Sequence, residues 1–311
     1  MAGMNKLRGV LSPVLTPFNA DYSVSASRFI GHCRTLIKLN VGLAVFGTNS
    51  EANSLSVKEK RQLLDLLVEE GLPAGKMMPG TGCCAVSDSI ELTRHAVSAG
   101  CAGVLMLPPF YYKGVSDEGL FRNYATVIDT IADARLRIYL YHIPHVTQVG
   151  IGFDLIERLL KAYPDTVAGI KDSSGDWNHT LALINRFQPD GFDVFAGSEP
   201  FLLQTLRHGG AGCITATGNV NAAAIARLNA TWNDDTADSQ QQELDTVRNI
   251  FQKFPMIPAM KSAIARQTGT PEWSILRPPL VELTEDQARQ LQHDLSAIDF
   301  HPNELSDTLA S

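Results

Sequence analysis

"TVAGIKDSSGDWNHTLALINRF" runs from Thr166 to Phe187. It opens as a short apolar run over 167–171 and ends that run on a lysine, Lys171. A small polar loop follows, Asp172, Ser173, Ser174 and Gly175. From Trp177 onward the apolar residues take helical spacing. The stretch therefore reads as one strand, a loop and one helix, with a charge at the point where the strand opens into the loop.

The same unit recurs along the chain. Short runs rich in apolar and β-branched residues predict strands at 9–15, 42–46, 76–80, 103–107, 136–141, 167–171, 192–196 and 212–215. Such runs suit strands buried on both faces. Amphipathic stretches between them predict helices at about 25–39, 56–70, 86–98, 116–131, 153–162, 177–187, 199–207 and 221–232. Ser87 and Asp154 stand near helix starts, where a short oxygen-bearing side chain can cap free N–H groups. Eight strand–helix units make a (β/α)8 barrel the expected fold, over residues 1–232. A polar break, "NDDTADSQ" (233–240), opens a C-terminal extension, 233–311, expected to pack on the barrel as helices near 241–253, 257–267 and 284–296. Its last stretch, "HPNELSDTLAS", reads as frayed. The rival fold is an open doubly wound sheet, which favours a glycine fingerprint after the first strand. Here that strand runs into "SPVLTPFNADYS", with no G-x-G-x-x-G.

Composition narrows the function classes. The 311 residues carry 26 Lys and Arg against 33 Asp and Glu, a net charge of −7. That balance argues against general nucleic-acid binding. The five cysteines form no C-x-x-C pair, which gives no support to a zinc ribbon or a dithiol redox site and fits reduced thiols. "MAGMNKLRGV" lacks the apolar core of a signal peptide, and no apolar run nears the roughly 18 residues that span a bilayer. A cytoplasmic protein with no membrane partner is expected.

In a barrel of this kind the active site lies at the C-terminal strand ends. Those ends read Thr16-Pro17, "GTNSE" (47–51), "PPFYYKG" (108–114), "YHIPH" (141–145), Lys171, "AGSEP" (196–200) and "ITATGN" (214–219). Hydroxyls and glycine dominate, and Lys171 stands at its strand end as a potential nucleophile. An amine enclosed by barrel wall favours its neutral form, and a neutral amine can attack a ketone to form a Schiff base. The iminium is an electron sink for the neighbouring carbon. Tyr141, one strand earlier, has a hydroxyl suited to proton shuttling. The "GTNSE" turn could supply N–H and hydroxyl donors to a carboxylate.

Taken singly, each feature has a plainer reading. A lysine at a strand end is commonly solvated, with its stem on apolar surface. Tyr141 could be an amphipathic core residue, and "GTNSE" an ordinary strand-to-helix turn. His142 and His145 lie close in sequence but lack a nearby third ligand for a metal. Asp172 and Asp176 could be helix caps. Cys83 and Cys84 read as strand-end packing.

In this order, the motifs G-T-x-x-E, Y-x-x-P and G-x-K-D resemble the dihydrodipicolinate synthase / N-acetylneuraminate lyase family of pyruvate-dependent class I aldolases. The resemblance spans nearly the whole chain, from "GVLSPVLTPF" (9–18) to the C-terminal helices. It implies Lys171 as the Schiff-base lysine and Tyr141 as the proton-transfer tyrosine. Thr48 and Asn49 match the positions that bind the pyruvyl carboxylate and join a hydroxyl relay. Tyr111, with Tyr112 as its competitor, matches a tyrosine that reaches across a dimer interface. Gly197 and Ile214 match positions lining the pyruvyl pocket. It further implies a homotetramer, a dimer of dimers, with no metal and no cofactor beyond the covalent Schiff base on Lys171.

Two departures bear on the substrate. Dihydrodipicolinate synthases carry an arginine at the second residue after the Y-x-x-P proline; here it is Val146. Without that bidentate carboxylate clamp, 4-hydroxy-tetrahydrodipicolinate synthase activity is disfavoured. Asn49 and Ser50, with "KDSSGD" and "AGSEPFL", resemble mitochondrial 4-hydroxy-2-oxoglutarate aldolases. The expected reaction is reversible cleavage of a 4-hydroxy-2-oxo acid or a 2-keto-3-deoxy sugar acid to pyruvate and an aldehyde. His145, Ser173, Ser198 and the 108–115 loop are candidates for reading the far end of the substrate. The alternatives are dehydration of a 2-keto-3-deoxy acid through the same iminium, and a non-catalytic sensor of 2-oxo acids.

Overall fold

The structure is a computed structural model and describes residues 6–303. Seven parallel strands form its sheet: β1 (Gly9–Ser12), β2 (Gly42–Leu43), β3 (Val104–Met106), β4 (Ile138–His142), β5 (Val167–Asp172), β6 (Asp193–Ala196) and β7 (Gly212–Ile214). Their order is β2-β1-β7-β6-β5-β4-β3. The expected third strand, 76–80, joins the two open edges. Met78 N–H donates to Leu43 O and Gly80 N–H to Val45 O on one side. Leu105 N–H donates to Pro79 O on the other. The ring is thereby closed, and the expected (β/α)8 barrel is the fold.

That third strand is reduced to bridges at Met77 and Gly80. Pro79 has no N–H to give to a ladder, and a short 3-10 turn, Ala74–Lys76, takes up its start. Proline also ends β1 three residues before the expected position, at Pro13. Phe46 shortens the second strand: its φ of +62° turns the chain at once into the next loop.

Helices α1 (Ala26–Lys38), α2 (Val57–Glu69), α3 (Val86–Ser98), α4 (Asp117–Ile131), α5 (Pro144–Thr147), α6 (Phe153–Ala162), α7 (Trp177–Phe187), α8 (Leu202–Arg207) and α9 (Ala222–Ala230) lie outside the ring. Then come α10 (Ala237–Gln252), α11 (Met256–Thr268) and α12 (Glu285–Ser296). The one-turn α5, on "PHVT", has no counterpart among the expected helices. The polar break at 233–240 is shorter than expected, because α10 begins at Ala237, which is fully buried. Neither Ser87 nor Asp154 caps a helix; the N-cap positions are Ala85 and Gly152. Asp176 does cap α7, accepting from Asn178 N–H at 2.9 Å. The expected frayed end falls mostly on residues 304–311, outside the described residues. Asn303 before it is tied down, accepting from Ala222 N–H at 2.9 Å.

Strand alternation sorts the core into two shells. Outward side chains such as Val10, Leu43, Val104, Leu140, Ile170 and Val194 meet the helices. Inward ones, including Leu11, Ala44, Met78, Leu105, Tyr139 and Phe195, fill the barrel. Gly169 leaves room for this filling: a Cβ there would stand 2.7 Å from the Tyr139 ring and 2.3 Å from Asp193 O. A third cluster joins Leu15, Ala216 and Val220 of the barrel to Phe251, Met260 and Leu291 of the C-terminal helices. Among the described residues, no helix is long and apolar enough to cross a membrane.

Candidate active site

Lys171 points into the barrel. It shares the inward side of β5 with Gly169, while Ile170 and Asp172 face the helices. Its register partners are Tyr141 on β4 and Phe195 on β6. The side chain is 2% exposed. A charge so placed is costly unless it has partners or work to do. Its Nζ lies 3.1 Å from Tyr141 Oη and 4.2 Å over the Tyr141 ring. Tyr141 Oη lies in turn 3.2 Å from Thr48 Oγ1. An amine and two hydroxyls thus form one hydrogen-bonded chain across the upper barrel. The solvated strand-end reading of Lys171 is ruled out by this burial.

Thr48 reaches that position through an unusual turn. Phe46 at φ +62° and Glu51 at φ +56° bracket a 3-10 turn over Thr48–Ser50. Bulky side chains rarely adopt that region, so both residues need outside support. Inside the turn, Gly47 N–H donates to Ser50 Oγ at 3.2 Å. Thr16, four residues past β1, donates its hydroxyl to Ser50 O at 2.7 Å. Thr48 and Asn49 are left half-buried on the turn.

The remaining candidates divide into two groups. Ile214 is fully buried on β7, in the same inner cluster as Tyr141. Gly197 extends β6 by donating its N–H to Asp172 O at 2.7 Å, and Ser198 follows it, half-buried. Neither Tyr111 nor Tyr112 joins the hydrogen-bonded chain of Lys171, Tyr141 and Thr48. They stand 74% and 72% exposed on the loop between β3 and α4, packed edge to face at 5.4 Å. Val146 is 54% exposed on α5, and His145 beside it is exposed.

His142 and His145 do not converge. His142 faces outward from β4, accepts Ile151 N–H on Nδ1 at 3.0 Å and stacks on His179 at 4.8 Å. Burial holds its imidazole below the ordinary histidine range. Asp172 completes the group. It accepts from Ser174 N–H and Oγ, from Thr180 Oγ1 at 2.6 Å, and from the ring of His179, whose Nδ1 is 3.1 Å away. Burial would raise the Asp172 carboxyl, but these donors hold it below the usual range. The same hydrogen bond raises His179. Among the described residues, His142, Asp172 and His179 are the group of three close enough to hold a metal ion. Their geometry fits a hydrogen-bonded pair with a stacked ring instead. Lone pairs lie in the ring planes, so two stacked imidazoles cannot both aim at one ion, and Asp172 already has four donors.

Sequence reasoning missed Thr16, Ser50 and Glu51 as supports of the turn, and His179 and Thr180 as partners of Asp172. Alternation along β5 could have signalled the last two, because it sends Asp172 toward the helix that follows. A groove of about 760 Å³ lies elsewhere, between α11 and α12, lined by Arg266, Ser274, Arg289 and Leu291 among others. Its lining includes none of the strand-end candidates.

Comparison with known proteins bears on the fold and on the family. Residues 6–298 match the model of the dihydrodipicolinate synthetase family. An uncharacterized DapA-like lyase of Chloroflexus aurantiacus is 33% identical over 295 residues, 93% of this chain and 96% of that one. Dihydrodipicolinate synthase from Agrobacterium tumefaciens superposes with a TM-score of 0.86 at 30% identity, covering 94% of this chain and all of that one. YagE of Escherichia coli K12, provisionally named a 2-dehydro-3-deoxy-D-gluconate aldolase, is 29% identical over 91% of this chain and 94% of its own. Its structure in complex with pyruvate superposes with a TM-score of 0.85, covering 94% of this chain and 99% of that one. The chain belongs to the dihydrodipicolinate synthetase family and is a Schiff-base lyase/aldolase of that family.

Proposed function

We propose that the protein cleaves a 4-hydroxy-2-oxo acid or 2-keto-3-deoxy sugar acid reversibly to pyruvate and an aldehyde, through a Schiff base on Lys171. The observation that carries this reading is the chain from Lys171 Nζ through Tyr141 Oη to Thr48 Oγ1, with steps of 3.1 and 3.2 Å. Lys171 attacks the C2 carbonyl, and the carbinolamine loses water to give an iminium. Tyr141 takes the proton of the C4 hydroxyl. The C3–C4 bond breaks, its electron pair flows into the iminium to form an enamine, and the aldehyde departs. Protonation at C3 and hydrolysis release pyruvate and restore the amine. Thr48 and Asn49 hold the C1 carboxylate, with Gly197, Ser198 and Ile214 lining the pocket.

Tyr111 extends the relay from a second copy of the chain. Its exposure, shared with Tyr112, suits a residue completed by a partner subunit, and a homotetramer built as a dimer of dimers is the proposed assembly. Val146 supports a substrate other than aspartate semialdehyde, because an exposed valine offers no donor fork to a second carboxylate. The provisional name of YagE supports a sugar-acid substrate. Loss of water from the same iminium is the second reading, favoured by the same lysine and tyrosine.

A coupled pyruvate-release screen over 2-keto-3-deoxy and 4-hydroxy-2-oxo acids tests the proposal. Pyruvate release from at least one class is expected. Turnover confined to condensation of pyruvate with aspartate semialdehyde would overturn the substrate assignment. Consumption of a 2-keto-3-deoxy acid without pyruvate release would assign the dehydratase.

A further inference from the structure

The turn that carries Thr48 and Asn49 is held from outside the barrel. Glu51 closes it, and its carboxylate meets the Lys261 ammonium of α11, with both side chains wholly buried. Lys261 also donates to Ile275 O at 2.8 Å and stands 4.5 Å over the Phe18 ring. Arg277 adds a second hold. Its backbone N–H donates to Glu51 Oε2 at 3.3 Å, and its guanidinium to Ser54 O at 2.6 Å and to Tyr22 O and Glu59. Burial pushes the Glu51 carboxyl up and the Lys261 ammonium down, and each charge opposes that drift in the other.

The turn after β6 is held in a parallel way. Glu199, buried, accepts the hydroxyls of Thr215 and Thr217 and lies 3.3 Å from Arg248 of α10. Gln241 of α10 donates to Glu199 O at 3.1 Å. The C-terminal helices therefore send a charged side chain to each of two turns, one bearing Thr48 and Asn49 and the other following Gly197 and Ser198. An apolar pair of similar volume can serve stability as well as a buried ion pair does, so stability alone gives little reason for the charges. What the pair supplies is a fixed direction and separation between α11 and a turn whose backbone is strained at Phe46 and Glu51.

We propose that Glu51, Lys261 and Arg277 are positioning residues that fix the Thr48–Asn49 turn for the carboxylate of a 2-oxo acid, making the C-terminal helices part of the binding apparatus. The proposal rests on the pyruvate-lyase reading above. The test is the pyruvate concentration that half-saturates borohydride trapping, measured beside thermal melting in E51Q, K261M, the double variant E51Q/K261M, and R277K. Each single change at Glu51 or Lys261 strands a buried charge and lowers the melting temperature. The double variant recovers much of that loss, yet its half-saturating pyruvate stays raised by about tenfold to a hundredfold, the scale of a reacting group misplaced by about 1 Å. At saturating pyruvate its adduct still forms. R277K, which keeps the charge but loses the fork to Ser54, Tyr22 and Glu59, shows a smaller rise and decides the matter if the double variant does not fold. A folded double variant, or R277K, with wild-type half-saturation would overturn the proposal. Failure of the underlying reading looks different: no pyruvyl adduct in the unmodified protein at any concentration.

Discussion

Lys171 and Tyr141 are register partners on adjacent parallel strands, and the Lys171 Nζ lies 3.1 Å from the Tyr141 hydroxyl. Register and alternation together produce this: both residues are inward-facing at the same level of the barrel. In the proposed reaction this hydroxyl takes and returns protons while the amine is covalently occupied. Tyr141→Phe keeps the ring and removes the relay. Its kcat should fall by about 10²- to 10⁴-fold, the usual worth of a positioned acid–base group. Steady-state kinetics on the best substrate of the pyruvate-release screen checks this, and a change of less than twofold would remove Tyr141 from the mechanism.

Thr48 is the next link, 3.2 Å from Tyr141. Thr48→Val preserves shape and deletes the hydroxyl, so kcat should drop about tenfold, equivalent to about 1.4 kcal/mol. Thr48→Ser should restore most of the rate. If valine and serine behave alike, the hydroxyl is not part of a relay.

Much of this arrangement could be read along the chain, because it rests on period and order. Eight apolar runs separated by helical stretches are enough for a closed barrel, and strand ends are where such a barrel puts its chemistry. The exception at 76–80 has a local cause in Pro79, which weakens the ladder without opening the ring. What could not be read depends on pairing across distance. Lys261 looks like an ordinary charge on an amphipathic helix, and nothing near it in sequence points to Glu51. Ser87 and Asp154 looked like caps because their type is right, but each sits two residues inside its helix. The partners of Asp172 arise where the first turn of α7 folds back over β5.

Gly197 marks a close approach at the mouth. A Cβ there would lie 2.1 Å from Ser173 Oγ and 2.7 Å from Asp172 O. Since the second of these is backbone, Gly197→Ala should destabilise by about 1–3 kcal/mol, as overpacking usually does. It should also weaken pyruvate binding by displacing the end of β5. Denaturant melts and pyruvate saturation measure the two effects, and an unchanged melt would show that the strand ends yield freely.

His179 makes stability depend on pH. Its hydrogen bond to Asp172 raises it above its ordinary value of 6.5, so its contribution is complete below about 6.5 and is lost as pH rises through the folded value. The stacked His142 acts in the opposite sense: burial lowers it, so its contribution is present above 6.5 and lost as pH falls. Comparing the protein with His179→Gln isolates the first effect. The difference in melting temperature should shrink as pH rises from about 6 to about 9. A difference that is flat over that range would mean that His179 is not held by the Asp172 charge.

The central claim is that Lys171 is the covalent centre. It is tested most directly by incubating the protein with pyruvate and borohydride, then locating any adduct by peptide mass spectrometry. A single reduced pyruvyl group on Lys171 is expected, absent from Lys171→Ala, while the variant keeps its fold because Tyr141 Oη retains its Thr48 partner. An unmodified Lys171, or an adduct on another lysine with Lys171→Ala still active, would contradict it.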